Sequence, residues 1–215
     1  MMDTLLQQWR RYLRVAAFAV LGLLSGALIA WNLQVAIAPS FQLDTNSYQE
    51  VTSTDIDGEI MTESLPTRLR IPKIDVDTTF TEPLGLDENQ EVDIPYDFER
   101  VGWYKYGPTP GELGPAVILG HVDSFEGAAV FYHLGQLEAG DRVFVDREDG
   151  STAIFEVTTY ERPSQDDFPT QKVYGNINFA GLRLVTCTGQ FDKGEQRYSH
   201  NLVVYAKLVE VVNEL

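Results

Sequence analysis

The sequence predicts an all-β domain that follows a single N-terminal transmembrane helix. Three observations support this fold class. One long uncharged run stands near the N-terminus, short segments from Thr67 onward alternate polar and apolar residues, and a single short segment has helical spacing. A mostly antiparallel β domain of about 150 residues, closed into a barrel with small helical insertions, fits this pattern.

The transmembrane prediction rests on the run 15–31, which contains no charged residue. A spanning helix needs about 17–25 mostly apolar residues, so residues 13–38 are long enough to cross a membrane. The alternative is a cleaved signal peptide, because residues 36–38 (Ala-Ile-Ala) imitate a cleavage site. The run is longer than a signal-peptide core of roughly 7–15 residues, and Pro39 is a poor cleavage context. We therefore expect an uncleaved anchor.

Charges on either side of this span predict its orientation. Arginines precede it, whereas acidic residues follow it and no Lys or Arg appears before Arg68. Basic flanks of a spanning helix stay on the cytoplasmic side, so we expect residues 1–12 to form a cytoplasmic tail. The chain should cross the cell membrane once, with the residues after 38 outside the cell. Residues 39–66 are acidic and without sustained periodicity, which predicts a linker. Residues 67–215 then form the folded domain.

The folded part contains six segments with the composition of strands. Pro72 places the first at a sheet edge or a bulge, because proline cannot donate a ladder hydrogen bond. Residues 148–151 predict a hairpin loop. Only residues 127–137 have helical spacing. The six strand segments are 68–76, 115–120, 141–147, 153–160, 182–187 and 201–209.

The only cysteine, Cys187, ends an apolar strand, where a following Thr-Gly turn holds its side chain at the lip of a sheet. Free cysteines are often simply buried, so a packing role stays open. Outside the cytoplasm a single cysteine forms no intramolecular disulfide, and its thiol is either buried or reactive. His121 also ends an apolar strand, whereas His133 lies in the helical segment and His200 lies next to the last strand.

Composition and spacing argue against several classes of function. The net charge of −16 opposes nucleic-acid binding, which depends on clustered Lys and Arg. One Cys and three dispersed His lack the ligand spacing of a structural metal site. Neither a phosphate-binding loop nor a dinucleotide-binding motif occurs. We therefore expect no nucleic acid, metal or cofactor.

Five segments together are similar to the sortases, the cysteine transpeptidases of Gram-positive cell surfaces, and to the class F group in particular. They are RLRIPKIDV, VILGHVDS, VFYHLGQLEAGDRVFV, LRLVTCTGQFD and NLVVYA. The resemblance covers residues 67–210 and implies an eight-stranded β-barrel with catalytic His121, Cys187 and Arg197. Arg197 stands slightly ahead of the position expected in the family. Arg183, on the same strand face as Cys187, is the competing arginine.

The resemblance also implies a reaction. Cys187, favoured as a thiolate by the cations His121 and Arg197, attacks a Leu-Pro-x-Thr-Gly sorting signal between Thr and Gly and forms a thioester. Arg197 stabilises the oxyanion, and His121 transfers protons. The implied partners are surface proteins that bear a sorting signal, an amine acceptor on the cell wall or a pilin, and the membrane. The alternatives are a hydrolytic cysteine peptidase and a non-catalytic, membrane-anchored β-barrel binding module.

Overall fold

The protein is described here by a computed structural model that covers residues 56–213. Ten strands and one short α-helix are present in this part of the chain. The strands are β1 (Pro66–Ile71), β2 (Val76–Thr79), β3 (Gly102–Trp103), β4 (Gly114–Leu119), β5 (Asp123–Ser124), β6 (Gly127–Ala128), β7 (Arg142–Arg147), β8 (Ser151–Glu161), β9 (Ala180–Asp192) and β10 (Arg197–Asn213), and the helix is α1 (Thr170–Tyr174).

Eight strands form one curled sheet in the order β2-β1-β7-β8-β10-β9-β4-β3, and β5 and β6 form a separate small hairpin. All neighbours in the large sheet are antiparallel except β4 and β9, which are parallel. A short parallel bridge between Phe80 and Val101 links the two edges, and the Thr81 amide donates to the Val101 carbonyl at 2.8 Å. The all-β prediction is therefore confirmed.

Alternation along the central strands divides their side chains between two apolar clusters. Leu182 and Leu184 on β9 point into the curled sheet and join its main core. Val185 points the other way, into a smaller cluster that also contains Val203 and Tyr205 of β10. Cys187, two residues after Val185 on β9, lies on this second face.

The first predicted strand, 68–76, is wrong as a single element. The structure divides it at Pro72 into β1 and β2, which pair as a hairpin. A 3-10 helix, Pro72–Ile74, joins them, and Asp75 ends that helix with a φ of 54°. Proline has no backbone N–H and prefers the first position of a helical turn, so the break follows from Pro72 itself. The predicted loop 148–151 does connect β7 and β8.

The helix predicted over 127–137 is also wrong. The segment begins as β6, and its one helical turn is the 3-10 helix Leu134–Gln136. Phe131, Leu134 and Leu137 are fully buried, so tertiary packing accounts for the apolar spacing that indicated a helix. The observed helix, α1, was not predicted because five residues are too few for a periodic signal.

The last part of the predicted linker contacts the domain. The Met61 amide donates to Gly111 O at 2.8 Å, and the Asp57 carboxylate lies 2.7 Å from Lys207 Nζ. The predicted spanning segment, 13–38, lies outside the described residues. Within residues 56–213, no helix is both long and apolar enough to cross a membrane.

Candidate active site

The adjacent parallel strands β4 and β9 carry the two residues at the centre of the predicted site. Leu119 pairs with Val185 in their register, and the Gly120 amide donates to Val185 O at 3.1 Å. His121 follows Leu119 by two residues, as Cys187 follows Val185. Because neighbouring strands lie about 4.8 Å apart, this register brings the chain segments that contain the two residues to the same end of β4.

Cys187 is half-buried and has no disulfide partner. Its direct partner on β10 is Asn201, and Gln165 Nε2 lies 3.8 Å from its sulfur. Burial, and secondly the negative charge of Asp123, raise the pKa of the Cys187 thiol. The sequence-based expectation was the opposite, a thiolate favoured by nearby cations. In this structure the thiol is the favoured form, so its reaction requires a proton acceptor.

His121 has one ring nitrogen engaged. Its Nε2 lies 2.7 Å from the carbonyl oxygen of Pro95, and its ring centroid lies 4.6 Å from that of Phe98. A carbonyl oxygen only accepts hydrogen bonds, so Nε2 carries a proton. In the neutral ring, Nδ1 is then the nitrogen with a lone pair. His121 is thus held in the tautomer that can accept a proton at Nδ1.

Asp123 and Tyr198 were not singled out from the sequence. Asp123 begins β5, two residues after His121, and its carboxylate accepts a hydrogen bond from the Tyr198 hydroxyl on β10. Burial and this hydrogen bond raise the pKa of Tyr198 to about 12. The pair links the segment after His121 to the strand that runs beside Cys187. The only sequence signal was the closeness of Asp123 to His121.

Arg197 is the first residue of β10, so the last strand begins four residues earlier than the predicted segment 201–209. Its Nη2 lies 3.0 Å from Asp166 Oδ1, and about half of the arginine side chain is exposed. Between the Tyr198 and His200 pairs, β9 contains one more residue than β10. Gly189, with a φ of 88°, lies in this bulge. A bulge bends the strand that carries it and increases the local twist, so simple alternation from Cys187 to Arg197 does not hold.

Arg183 occupies a different environment. It is 4 % exposed, and its guanidinium lies over the Tyr205 ring at 4.7 Å from the centroid. Arg183 lies four positions before Cys187 on β9, so their Cα atoms are about 13 Å apart at the usual rise of a strand. The structure therefore separates Arg183 from the Cys187 end of the strand.

The other two histidines contact groups outside this arrangement. His133 Nδ1 lies 2.8 Å from Gln136 Nε2, and His200 Nδ1 lies 2.8 Å from Ser199 Oγ. Both are exposed. Among residues 56–213, no group of three or more His, Cys, Asp or Glu side chains is placed to hold a metal ion.

An open cavity of about 640 Å³ lies beside the loop that contacts His121. Phe98, which packs on the His121 ring, is part of its wall. Its lining is Tyr96, Asp97, Phe98, Glu99, Ser124, Phe125, Glu126 and Ala128.

Comparison with known proteins identifies the family. The sortase domain model matches residues 69–209, which is well over half of the chain, so the chain belongs to the sortase family. Sortases are cysteine transpeptidases, and the single cysteine of this chain is Cys187. No curated protein sequence matches the chain.

Solved structures agree with this assignment at the level of the fold. Sortase A from Corynebacterium diphtheriae is 21 % identical with a TM-score of 0.52, over 69 % of this chain and 62 % of that one. A sortase from Actinomyces oris is 20 % identical with a TM-score of 0.52, over 73 % and 86 %. Sortase C1 of GBS pilus island 1 is 21 % identical with a TM-score of 0.52, over 72 % and 70 %. The match thus spans less than two thirds of the Corynebacterium diphtheriae chain.

Proposed function

We propose that this protein is a membrane-anchored transpeptidase that cleaves a Leu-Pro-x-Thr-Gly-type sorting signal between Thr and Gly and transfers the acyl part to an amine. The family membership supports the reaction type. The observation that supports the site assignment is the parallel register of β4 and β9, whose last pair, Leu119 and Val185, stands two residues before His121 and Cys187. The acceptor is an amine of the cell wall or of a pilin. The class F likeness stays a prediction from the sequence motifs.

In the proposed reaction, His121 Nδ1 takes the proton of the Cys187 thiol while the sulfur bonds to the threonine carbonyl carbon. The resulting oxyanion is stabilised by the Arg197 guanidinium, which leaves Asp166 or shares its donors with the substrate. His121 then gives the proton to the glycine nitrogen as the C–N bond breaks, which leaves a thioester on Cys187. An incoming amine attacks the thioester carbon and loses a proton to His121. The C–S bond then breaks, and the departing Cys187 sulfur takes that proton from His121, which restores the thiol.

This order of events suits the protonation state of the site. Burial and the negative charge of Asp123 raise the pKa of Cys187, so the resting nucleophile is a neutral thiol. Proton transfer to His121 then accompanies attack instead of preceding it. A neutral thiol is also protected from oxidation, since the thiolate is the reactive form.

The test is to incubate the purified full-length chain with sorting-signal peptides, with and without hydroxylamine or oligoglycine, and to follow products by mass spectrometry. We expect a thioester adduct on Cys187 and an amine-dependent product. Products that are the same with and without the added amine would instead establish a hydrolytic peptidase. If no adduct and no cleavage were found with any signal peptide, the result would favour the alternative of a non-catalytic binding module.

We further propose that residues 13–38 anchor the protein in the cell membrane with the catalytic domain outside. The support is the uncharged run followed by an acidic segment, with arginines only on the N-terminal side. Protease added to intact cells should then digest an epitope at the C-terminus. A mature N-terminus at Pro39 would show instead that the run is a cleaved signal peptide.

A further inference from the structure

A neutral amide contacts the sulfur of Cys187. Gln165 opens the 3-10 helix Gln165–Asp167, and its Nε2 lies 3.8 Å from Cys187 Sγ and 3.1 Å from Asn201 Oδ1. A side-chain amide nitrogen has two hydrogens, so one can point to the sulfur while the other is donated to Asn201. The distance to sulfur is within the range of a hydrogen bond to that larger atom.

The backbone around Gln165 is fixed to β10 on the side of the nucleophile. The Asn201 amide donates to Pro163 O at 2.9 Å, and Ser164 forms a bridge with His200. The Ser164 hydroxyl also accepts from the Asp166 amide at 3.2 Å, which caps the helical turn. The segment that carries Gln165 therefore follows the same strand that pairs with Cys187.

Asn201 sets the direction of the Gln165 amide. It is directly opposite Cys187 in the β9–β10 register, and directly opposed residues project to the same face with Cβ atoms about 5 Å apart. Its Oδ1 accepts one of the two Gln165 hydrogens. With that hydrogen engaged, the planar amide has the other directed at the sulfur. No arginine occupies the position opposite the nucleophile, because that position is Asn201.

We propose that Gln165 is a further catalytic residue: its side-chain amide donates a hydrogen bond to the Cys187 sulfur and stabilises the thiolate as it forms. Asn201 is the positioning residue that orients this amide. The proposal rests on the proposed transpeptidase function for its role in turnover, although the contact itself does not depend on it. Gln165 lies between β8 and α1, outside the strand motifs from which His121 and Cys187 were predicted.

The charged and titratable groups around the sulfur explain why a neutral donor matters. Asp123 on β5 opposes the thiolate, and it binds the Tyr198 hydroxyl on β10. Arg197 is engaged by Asp166, one residue beyond Gln165. His121 takes the thiol proton only during the proposed reaction. The Gln165 amide is the donor that is already in place before that transfer.

The experiment is to measure the rate of Cys187 alkylation by iodoacetamide as a function of pH on the full-length chain in detergent. The midpoint of the profile gives the pKa of the Cys187 thiol directly, and the measurement needs no peptide substrate. Gln165→Leu removes the donor at similar size and should move the midpoint upward by about 0.5–1 pH unit, the expected net contribution of one ordinary hydrogen bond. Gln171→Leu, at an exposed glutamine of α1, is the matched control and should leave the midpoint unchanged.

Two more variants make the result decisive. Gln165→Glu keeps the shape but places a carboxylate at the sulfur, so its midpoint should lie above that of Gln165→Leu. Asn201→Leu should move the midpoint in the same direction as Gln165→Leu but less, because the amide remains and only its orientation is lost. If Gln165→Leu does not fold, judged by its circular dichroism, the uncharged and unbranched Gln165→Met carries the test. Wild-type midpoints in the Gln165 variants would overturn the proposal.

Peptide turnover separates this inference from the proposed function. If the wild-type chain forms no acyl-enzyme with any sorting-signal peptide while the Gln165 variants shift the alkylation midpoint, the transpeptidase assignment fails and the contact stands. If the wild-type chain is acylated while the Gln165 variants alkylate and acylate like wild type, the function stands and Gln165 has no catalytic role.

Discussion

The two arginines of the β9–β10 pair lie in opposite surroundings. Arg183 is 4 % exposed and lies over Tyr205, with its Nε buried without a hydrogen-bond partner. Arg197 is about half exposed at the other end of the pair, and a carboxylate that is itself largely exposed holds it. A guanidinium fixed by burial contributes to the fold, whereas one in a surface ion pair can exchange its partner at little cost. Residue type alone does not distinguish these roles.

Cys187 lies on β9 between these two arginine environments. Because it is the proposed nucleophile, its replacement should have the largest effect on activity. Cys187→Ala should abolish acyl-enzyme formation, because the sulfur is the only proposed nucleophile. His121→Ala should abolish transpeptidation, because the proton acceptor is lost. Single-turnover acylation followed by mass spectrometry measures both effects, and circular dichroism should show an intact fold. His133→Ala and His200→Ala are the matched controls, with rates near wild type. Turnover by Cys187→Ala would refute the nucleophile assignment.

The next largest effect is expected at the exposed end of the pair. Arg197→Lys keeps the charge but loses the planar, forked donor set of the guanidinium. If Arg197 stabilises the oxyanion, acylation at saturating peptide should fall by roughly 10²–10³, the usual effect of losing an oxyanion donor, with little change in peptide binding. A near wild-type rate would remove Arg197 from the mechanism.

The same substitution at the buried end should affect stability instead. Arg183→Lys replaces a stacked guanidinium by a strongly hydrated ammonium, and we expect a loss of about 0.5–2 kcal/mol in the free energy of unfolding, the range for a cation–π contact. Denaturant titration measures this loss. The acylation rate of the folded enzyme should change little. A crippled rate in Arg183→Lys, with Arg197→Lys active, would exchange the two roles.

The sequence predicted the two strands that lead to the candidate site, but it did not predict the contacts around them. β4 and the part of β9 before Cys187 are apolar segments, which are recognisable without tertiary information. The predicted strand end at Cys187 is wrong, because β9 continues through the Thr-Gly pair to Asp192. Neither the extra residue of β9 at Gly189 nor the Gln165 contact has a local signal. Both features depend on how β10 and the 3-10 helix pack against β9. Hydrophobic periodicity and composition carry no information about this packing.

The same limit explains the wrong helix and the divided first strand. Phe131 and Leu134 are spaced like a helical face, but they fill the core from a turn and from a single 3-10 turn. Pro72 was correctly recognised as an interruption, yet whether the chain continues or turns there depends on the hairpin partner. The raised pKa of Cys187 was likewise not predictable, because it depends on burial and on Asp123, whose position near the sulfur is tertiary.

The smallest expected effect is a change in the acidity of the nucleophile by Asp123→Asn. Asparagine keeps an oxygen that can accept from Tyr198 but removes the negative charge, so the pKa of Cys187 should fall, while burial continues to hold it above the ordinary value. More thiolate at neutral pH should raise the alkylation rate by about two- to five-fold.

The raised pKa of Cys187 also determines how the folding stability changes with pH. Because the folded thiol binds its proton more tightly than the unfolded one, stability falls as pH rises from the ordinary thiol pKa, about 8.5, through the raised folded value. Asp123→Asn should reduce this loss, as measured by denaturant titration across that pH range. Asp167→Asn, at an exposed carboxylate of the 3-10 helix, changes the net charge equally and is the control. Equal shifts in both variants would show that overall charge, and not the Asp123 carboxylate, raises the pKa of the thiol.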